Sequence, residues 1–116
     1  MQKQSLIIKN LGTPKTDSLG ADYFEDSDLL IEYDSDENVI FIEAGQKSDL
    51  FFNEKPVFET SFCDLKKDIL ALDDRIQVLE EGNLIISEKM GISIWTNREK
   101  TNSAETLAVF VPGYYG

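Results

Sequence analysis

Apolar residues recur along this chain with two different periods, and the change of period divides it into elements. Leu29–Tyr33 and Val39–Glu43 are short runs rich in aliphatic and aromatic residues. The five polar residues Asp34-Ser35-Asp36-Glu37-Asn38 join them at hairpin length, so the pair predicts two antiparallel strands. On the first strand Leu29, Ile31 and Tyr33 share one side and Leu30 and Glu32 the other. On the second, Ile40 and Ile42 oppose Val39, Phe41 and Glu43. Neither strand is cleanly two-faced, which predicts that both faces of the sheet are partly covered.

Further strands are predicted at Ser5–Lys9, Leu84–Ile86, Ile92–Thr96 and Thr106–Val111, with Val57–Thr60 able to extend as another and Leu50–Phe52 a short apolar piece between turns. Gly, Pro and Asn clusters punctuate them. The period then lengthens: Phe62, Leu65, Ile69, Leu72 and Ile76 are spaced by three and four residues, one face of an amphipathic helix. Ser61 supplies an N-cap oxygen and Asp64 a favourable charge in the first turn. Asp73 and Asp74 suit the opposite end poorly, so the helix is expected to stop near Leu72. Arg75–Leu79 fits either a continued helix or a strand. A single helical turn is expected at Ser87–Met90, closed by Gly91 in a left-handed conformation. The sum is an α+β fold: a single globular domain over residues 1–116, with a mainly antiparallel sheet of about six strands and one or two helices. A small closed barrel with one helix is the alternative.

Charge changes this picture more than composition does. The chain has a formal net charge of −11. Nine of its carboxylates lie in Asp17–Glu37 without a Lys or Arg, whereas the remainder has thirteen acids against eleven bases. Like charges at this density cost stability, so the stretch is either a solubilising face or a surface that meets a basic partner. The second reading places the partner contact on Asp22, Tyr23, Glu25, Asp26, Asp28, Asp34 and Asp36. Tyr23 and Phe24 either anchor this loop to the core or supply apolar contact within the acids. Scattered Lys and Arg disfavour nucleic acid, which needs clustered cations against phosphates.

The absence of histidine excludes Ser-His-Asp and Cys-His catalysis and His-ligated zinc, and one cysteine cannot build a thiolate cluster. No cofactor is expected. Asp34, Asp36 and Asn38 match the first ligands of a calcium loop, but Val39 stands where glycine is required and Gly45 where the bidentate acid belongs, so no metal is expected. The doublets Asp73-Asp74 and Glu80-Glu81 are poor glycosidase pairs, because adjacent side chains diverge on a helix or a strand. No phosphate-cradling or nucleophile-elbow motif occurs. Cys63 is expected as a small buried hydrophobe, and Trp95, a competing contact candidate, is expected as a core residue because it lies on an apolar strand. The Ser5–Ile8 run is too short for the core of a secretory signal, and no apolar run approaches the roughly 18 residues of a membrane span. A cytosolic protein is expected, and the lone cysteine agrees with that.

The segments Gly91-Ile92-Ser93-Ile94-Trp95 and Glu105–Tyr115 resemble small acidic immunity proteins of bacterial polymorphic and contact-dependent toxin systems. The resemblance implies a cytoplasmic protein without catalysis that neutralises a toxin domain, often a basic nuclease, by covering its active site or a nearby exosite. The residues themselves also leave open a ligand-binding or enzymatic domain using carboxylates, and an adaptor or secretion chaperone. The sequence does not fix the oligomeric state.

Overall fold

In the computed structural model, which describes residues 11–97 and 102–115, the alternating segments pair into an eight-stranded antiparallel sheet. Its strands are β1 (Lys15–Thr16), β2 (Asp22–Phe24), β3 (Leu29–Tyr33), β4 (Val39–Ala44), β7 (Gln77–Leu79), β8 (Leu84–Ser87), β9 (Ile92–Trp95) and β10 (Thr106–Phe110). Their spatial order is β1-β2-β3-β4-β10-β9-β8-β7. A separate hairpin, β5 (Phe51–Phe52) with β6 (Lys55–Pro56), precedes a 3₁₀ turn at Val57–Glu59 and the helix α1 (Phe62–Leu72). The fold is α+β, as the two periods predict. The sheet has more strands than the six expected, and β1 and β7 lie at its two edges, so it is not a closed barrel.

The differences from expectation have local causes. The stretches containing β1 and β2 read as loop because strands of two and three residues are too short to show a period. Asn53 and Glu54, both at positive φ, form a tight two-residue hairpin that brings Lys55 and Pro56 back against Phe52 and Phe51, and Val57 to Glu59 follows as a 3₁₀ turn instead of a strand. The ambiguous Arg75–Leu79 segment resolves as edge strand β7, paired with β8. The strand expected at Ser5–Lys9 lies outside the described residues. Ser61 accepts from the Asp64 amide at 3.1 Å, the cap that the sequence predicts. The helix stops at Leu72, where the Asp73 amide closes the last turn on the Ile69 carbonyl at 2.8 Å.

One face of the sheet carries the main core. Register aligns Ile85, Ile94 and Leu107 in a row across β8, β9 and β10. Phe62, Leu65 and Ile69 of α1 pack on that row together with Val57 and Ala104. Leu65 and Ile94 are fully buried, each stabilising by about 1.5–3 kcal/mol relative to an exposed side chain. Cys63, expected inside, is exposed. It stands about 100° round the helix from Phe62, which takes the buried position. Gly91 has φ of 68°, the left-handed conformation expected of it, and its amide and carbonyl serve as links to β8 and β10. Among the described residues no helix is long and apolar enough to cross a membrane.

Candidate binding surface

The acidic stretch is distributed over ordered turns and strands, and its carboxylates do different jobs. Asp22, read from sequence as a partner contact, is 1% exposed and accepts from the Thr16 hydroxyl at 2.7 Å across the β1–β2 pair. It is removed from the accessible set, because β2 turns this side chain towards the same face as buried Ile31. The Tyr33 phenol is pushed well above its usual range, by burial first and by neighbouring Asp22 second. Asp28 sits at φ of 55° and accepts from the Tyr23 hydroxyl at 2.9 Å and the Lys47 amide at 3.1 Å. A Cβ at Gly45 would collide with the Asp28 carboxylate, so glycine there lets the two turns approach. That hydrogen bond to Asp28 is the main cause that raises the Tyr23 phenol above its usual range.

Asp34 organises the β3–β4 loop. Its Oδ1 accepts from the amides of Asp36 and Asn38, both at 2.9 Å, which is how an Asp side chain stands in for a backbone turn. Asp34 and Asp36 remain exposed on this loop, as does Asp26 between β2 and β3. Glu25 is exposed and paired with Lys15 at 3.0 Å, a contact that holds its carboxyl below the usual range. Of the seven predicted residues, Glu25, Asp26, Asp34 and Asp36 are exposed, Tyr23 and Asp28 are half-buried and joined to each other, and Asp22 is internal.

The sheet face away from α1 gathers residues that, Trp95 apart, the sequence reading did not single out. Register sets Glu43, Ala108, Ser93 and Ile86 side by side across β4, β10, β9 and β8. Glu32, Phe41 and Phe110 form the neighbouring row, and Thr106, Trp95 and Leu84 the row on the other side. The C-terminal Tyr114 and Tyr115 fold back over this face. Tyr114 stacks on Phe41 with ring centroids 4.6 Å apart, and its hydroxyl donates to Glu32 Oε1 at 2.7 Å. Tyr115 meets Phe110 edge-on at 4.9 Å, and its hydroxyl lies 3.2 Å from Ser93 Oγ. Burial, then the Glu32 hydrogen bond, pushes the Tyr114 phenol far above its usual range.

The two tyrosines leave part of the face uncovered. A cavity of about 430 Å³ is lined by Glu43, Glu80, Leu84, Ser93, Trp95, Thr106 and Tyr115. Trp95, expected in the core, is instead partly exposed here, because its strand position alternates with core residue Ile94. Glu43 is half-buried and makes no hydrogen bond or ion pair among the described residues. Burial raises its carboxyl above the usual range, and Glu32 and Asp28 add to the rise. Glu43 and Glu80 thus line this concave, aromatic-walled site, with Glu32 in the neighbouring row. The signal for it in the sequence is the phase of the alternation, which places Glu32, Glu43 and Trp95 opposite the core positions.

Asp73, from one of the sequence doublets, is committed to hydrogen bonds within the fold. Asp73 accepts from the Ser87 hydroxyl at 2.7 Å and the Arg75 amide at 3.0 Å, which together hold its carboxyl below the usual range. An ionised acceptor so fixed is unsuited to donate a proton. A surface depression of about 470 Å³ beside it is lined by Asp74, Arg75, Gln77, Glu88 and Lys89 as well. Among the described residues no group of three or more Cys, Asp or Glu side chains could hold a metal ion. Comparison of the chain with protein-family models, with curated proteins and with solved structures finds no match.

Proposed function

We propose that this chain is a non-catalytic cytosolic binding protein, an immunity protein that neutralises a basic toxin domain through an acidic surface. The observation that carries the reading is the excess of exposed carboxylates on one group of turns. Exposed Glu25, Asp26, Asp34, Asp36 and Glu37 stand on the turns around β2, β3 and β4. Lys15, paired with Glu25, and Lys47 are the bases beside them, whereas on and around α1 Lys55, Lys66, Lys67, Arg75 and Lys89 are interspersed with Asp64, Asp68, Asp73, Asp74 and Glu88. A surface with an excess of one sign steers a partner of the opposite sign and can raise its association rate by orders of magnitude. Turns held by Asp28 and Asp34 present these acids on ordered backbone, which limits the entropy lost on docking.

The test is co-expression of the chain with a basic C-terminal toxin domain, sought in the neighbouring reading frame, followed by association kinetics of the two purified proteins. Growth rescue, inhibition at one-to-one stoichiometry and an association rate that falls steeply as salt rises are expected. Charge reversal at Asp26 and Asp36 should slow association about tenfold or more while leaving the fold intact. Rescue with an association rate indifferent both to salt and to these reversals would remove the acidic surface from the mechanism. Failure to rescue would remove the toxin-neutralising role.

A further inference from the structure

We propose that the trough between Glu43 and Trp95 is a receptor for one arginine side chain of the partner. This rests on the reading of a basic partner and says where on the sheet, and to which residue type, the specific contact is made.

The floor of the trough is Ser93, a small residue in register with Ala108, so the backbone of β9 and β10 is approached closely there. Trp95 and Leu84, cross-strand neighbours, form one wall, and Tyr115 stands over the floor with its hydroxyl 3.2 Å from Ser93 Oγ. Glu43 closes the side towards β4, and Glu80 the side towards β8. Aromatic faces with carboxylates at both ends of a concave site match a planar cation. A guanidinium stacks on Trp and Tyr faces and at the same time donates along its edges to carboxylates, which an ammonium cannot do. The volume of about 430 Å³ admits a whole arginine side chain.

Glu43 is the residue that most needs an explanation. A half-buried carboxylate with no hydrogen bond or ion pair, set near two other acids, is unfavourable for the free protein. A cation brought into the trough removes that penalty, so binding gains from a group that folding alone would disfavour. Ser93 and Thr106 supply hydroxyls for the remaining guanidinium edge. The acids on the outer turns lack such surroundings: Asp28 and Asp34 are already committed to backbone amides.

Trp95 is the only tryptophan, so its fluorescence reports on this trough alone. The probes are N-acetylated hexa-arginine, hexa-lysine and hexa-citrulline peptides, titrated into the full chain at low salt. Hexa-arginine should give a saturable change in Trp95 emission, bind several-fold more tightly than hexa-lysine, and lose about tenfold in affinity in Glu43→Gln. Hexa-citrulline, the neutral isostere, should give no saturable change. An unchanged affinity in Glu43→Gln, or equal binding of arginine and lysine peptides, would overturn the assignment. If hexa-arginine binds calorimetrically without moving Trp95, and weakens in an Asp26→Asn, Asp36→Asn variant but not in Glu43→Gln, the trough is wrong while the basic-partner reading stands. If the peptide results hold but no basic toxin is neutralised, the trough stands and the immunity role falls.

Discussion

The two faces of the main sheet are finished in different ways. On one, α1 lays Phe62, Leu65 and Ile69 against Ile85, Ile94 and Leu107, and every one of these six is buried. On the other, the cover is two tyrosines, and Glu32, Glu43, Trp95 and part of Tyr115 stay within reach of solvent. The first face has apolar side chains at its centre, where it gains from every methylene it removes from water. The second keeps carboxylates among aromatics, an arrangement that folding does not favour and that binding a cation would. The difference separates a face closed by packing from one that stays open to solvent.

The sharpest way to break this contrast is to truncate the helix face. Leu65→Ala should cost about 2–5 kcal/mol in urea unfolding, since the residue is fully buried and a cavity would remain. Gly91→Ala should follow, at about 2 kcal/mol, because the residue has φ of 68° and a Cβ there would stand 2.7 Å from the Phe110 carbonyl oxygen. A loss no greater than that of a typical surface substitution in either variant would show that the β8–β10 core is not the centre of stability. On the open face, Tyr114→Phe deletes only the hydroxyl bonded to Glu32 and should cost about 1 kcal/mol by the same measurement.

The smallest effects are also the most diagnostic, since their signs oppose. The Asp73 carboxyl is held low, so its contribution is fully present above the pKa of the unfolded chain and is lost as pH falls through the folded value. Asp73→Asn should therefore flatten the acid limb of the stability profile. The Glu43 carboxyl is held high, so its contribution is most favourable below the unfolded value near 4.5 and declines as pH rises through the folded one. Glu43→Gln should leave the protein slightly more stable at neutral pH while weakening arginine binding. A Glu43→Gln variant less stable than the parent at pH 7 would mean that the carboxylate serves the fold.

Much of the scaffold was legible because local signals and packing agree. The Phe62–Leu72 helix carries its cap and its stripe within eleven residues, and the β3–β4 hairpin has its turn acids and alternating strands in one continuous segment. The edges were not legible. β1 and β2 are too short to display a period, and Gln77–Leu79 becomes a strand only because β8 pairs with it. The candidate site was legible as an excess of charge, not as a surface. No local rule separates Asp22, which bonds Thr16 inside, from Asp26, which faces water four residues later.

The sequence by itself determined the α+β class, the helix with its ends, the central hairpin and the concentration of acid in residues 17–37. All of these depend on neighbours along the chain. Only the tertiary structure decided which acids are spent on turns, which face α1 covers, and that Glu43, Ser93, Trp95 and Tyr115 share one trough. These residues meet through the β4–β10–β9 register and the return of the C-terminal tyrosines. A pairing between distant strands is selected by the whole core at once, and no single segment of the chain encodes it.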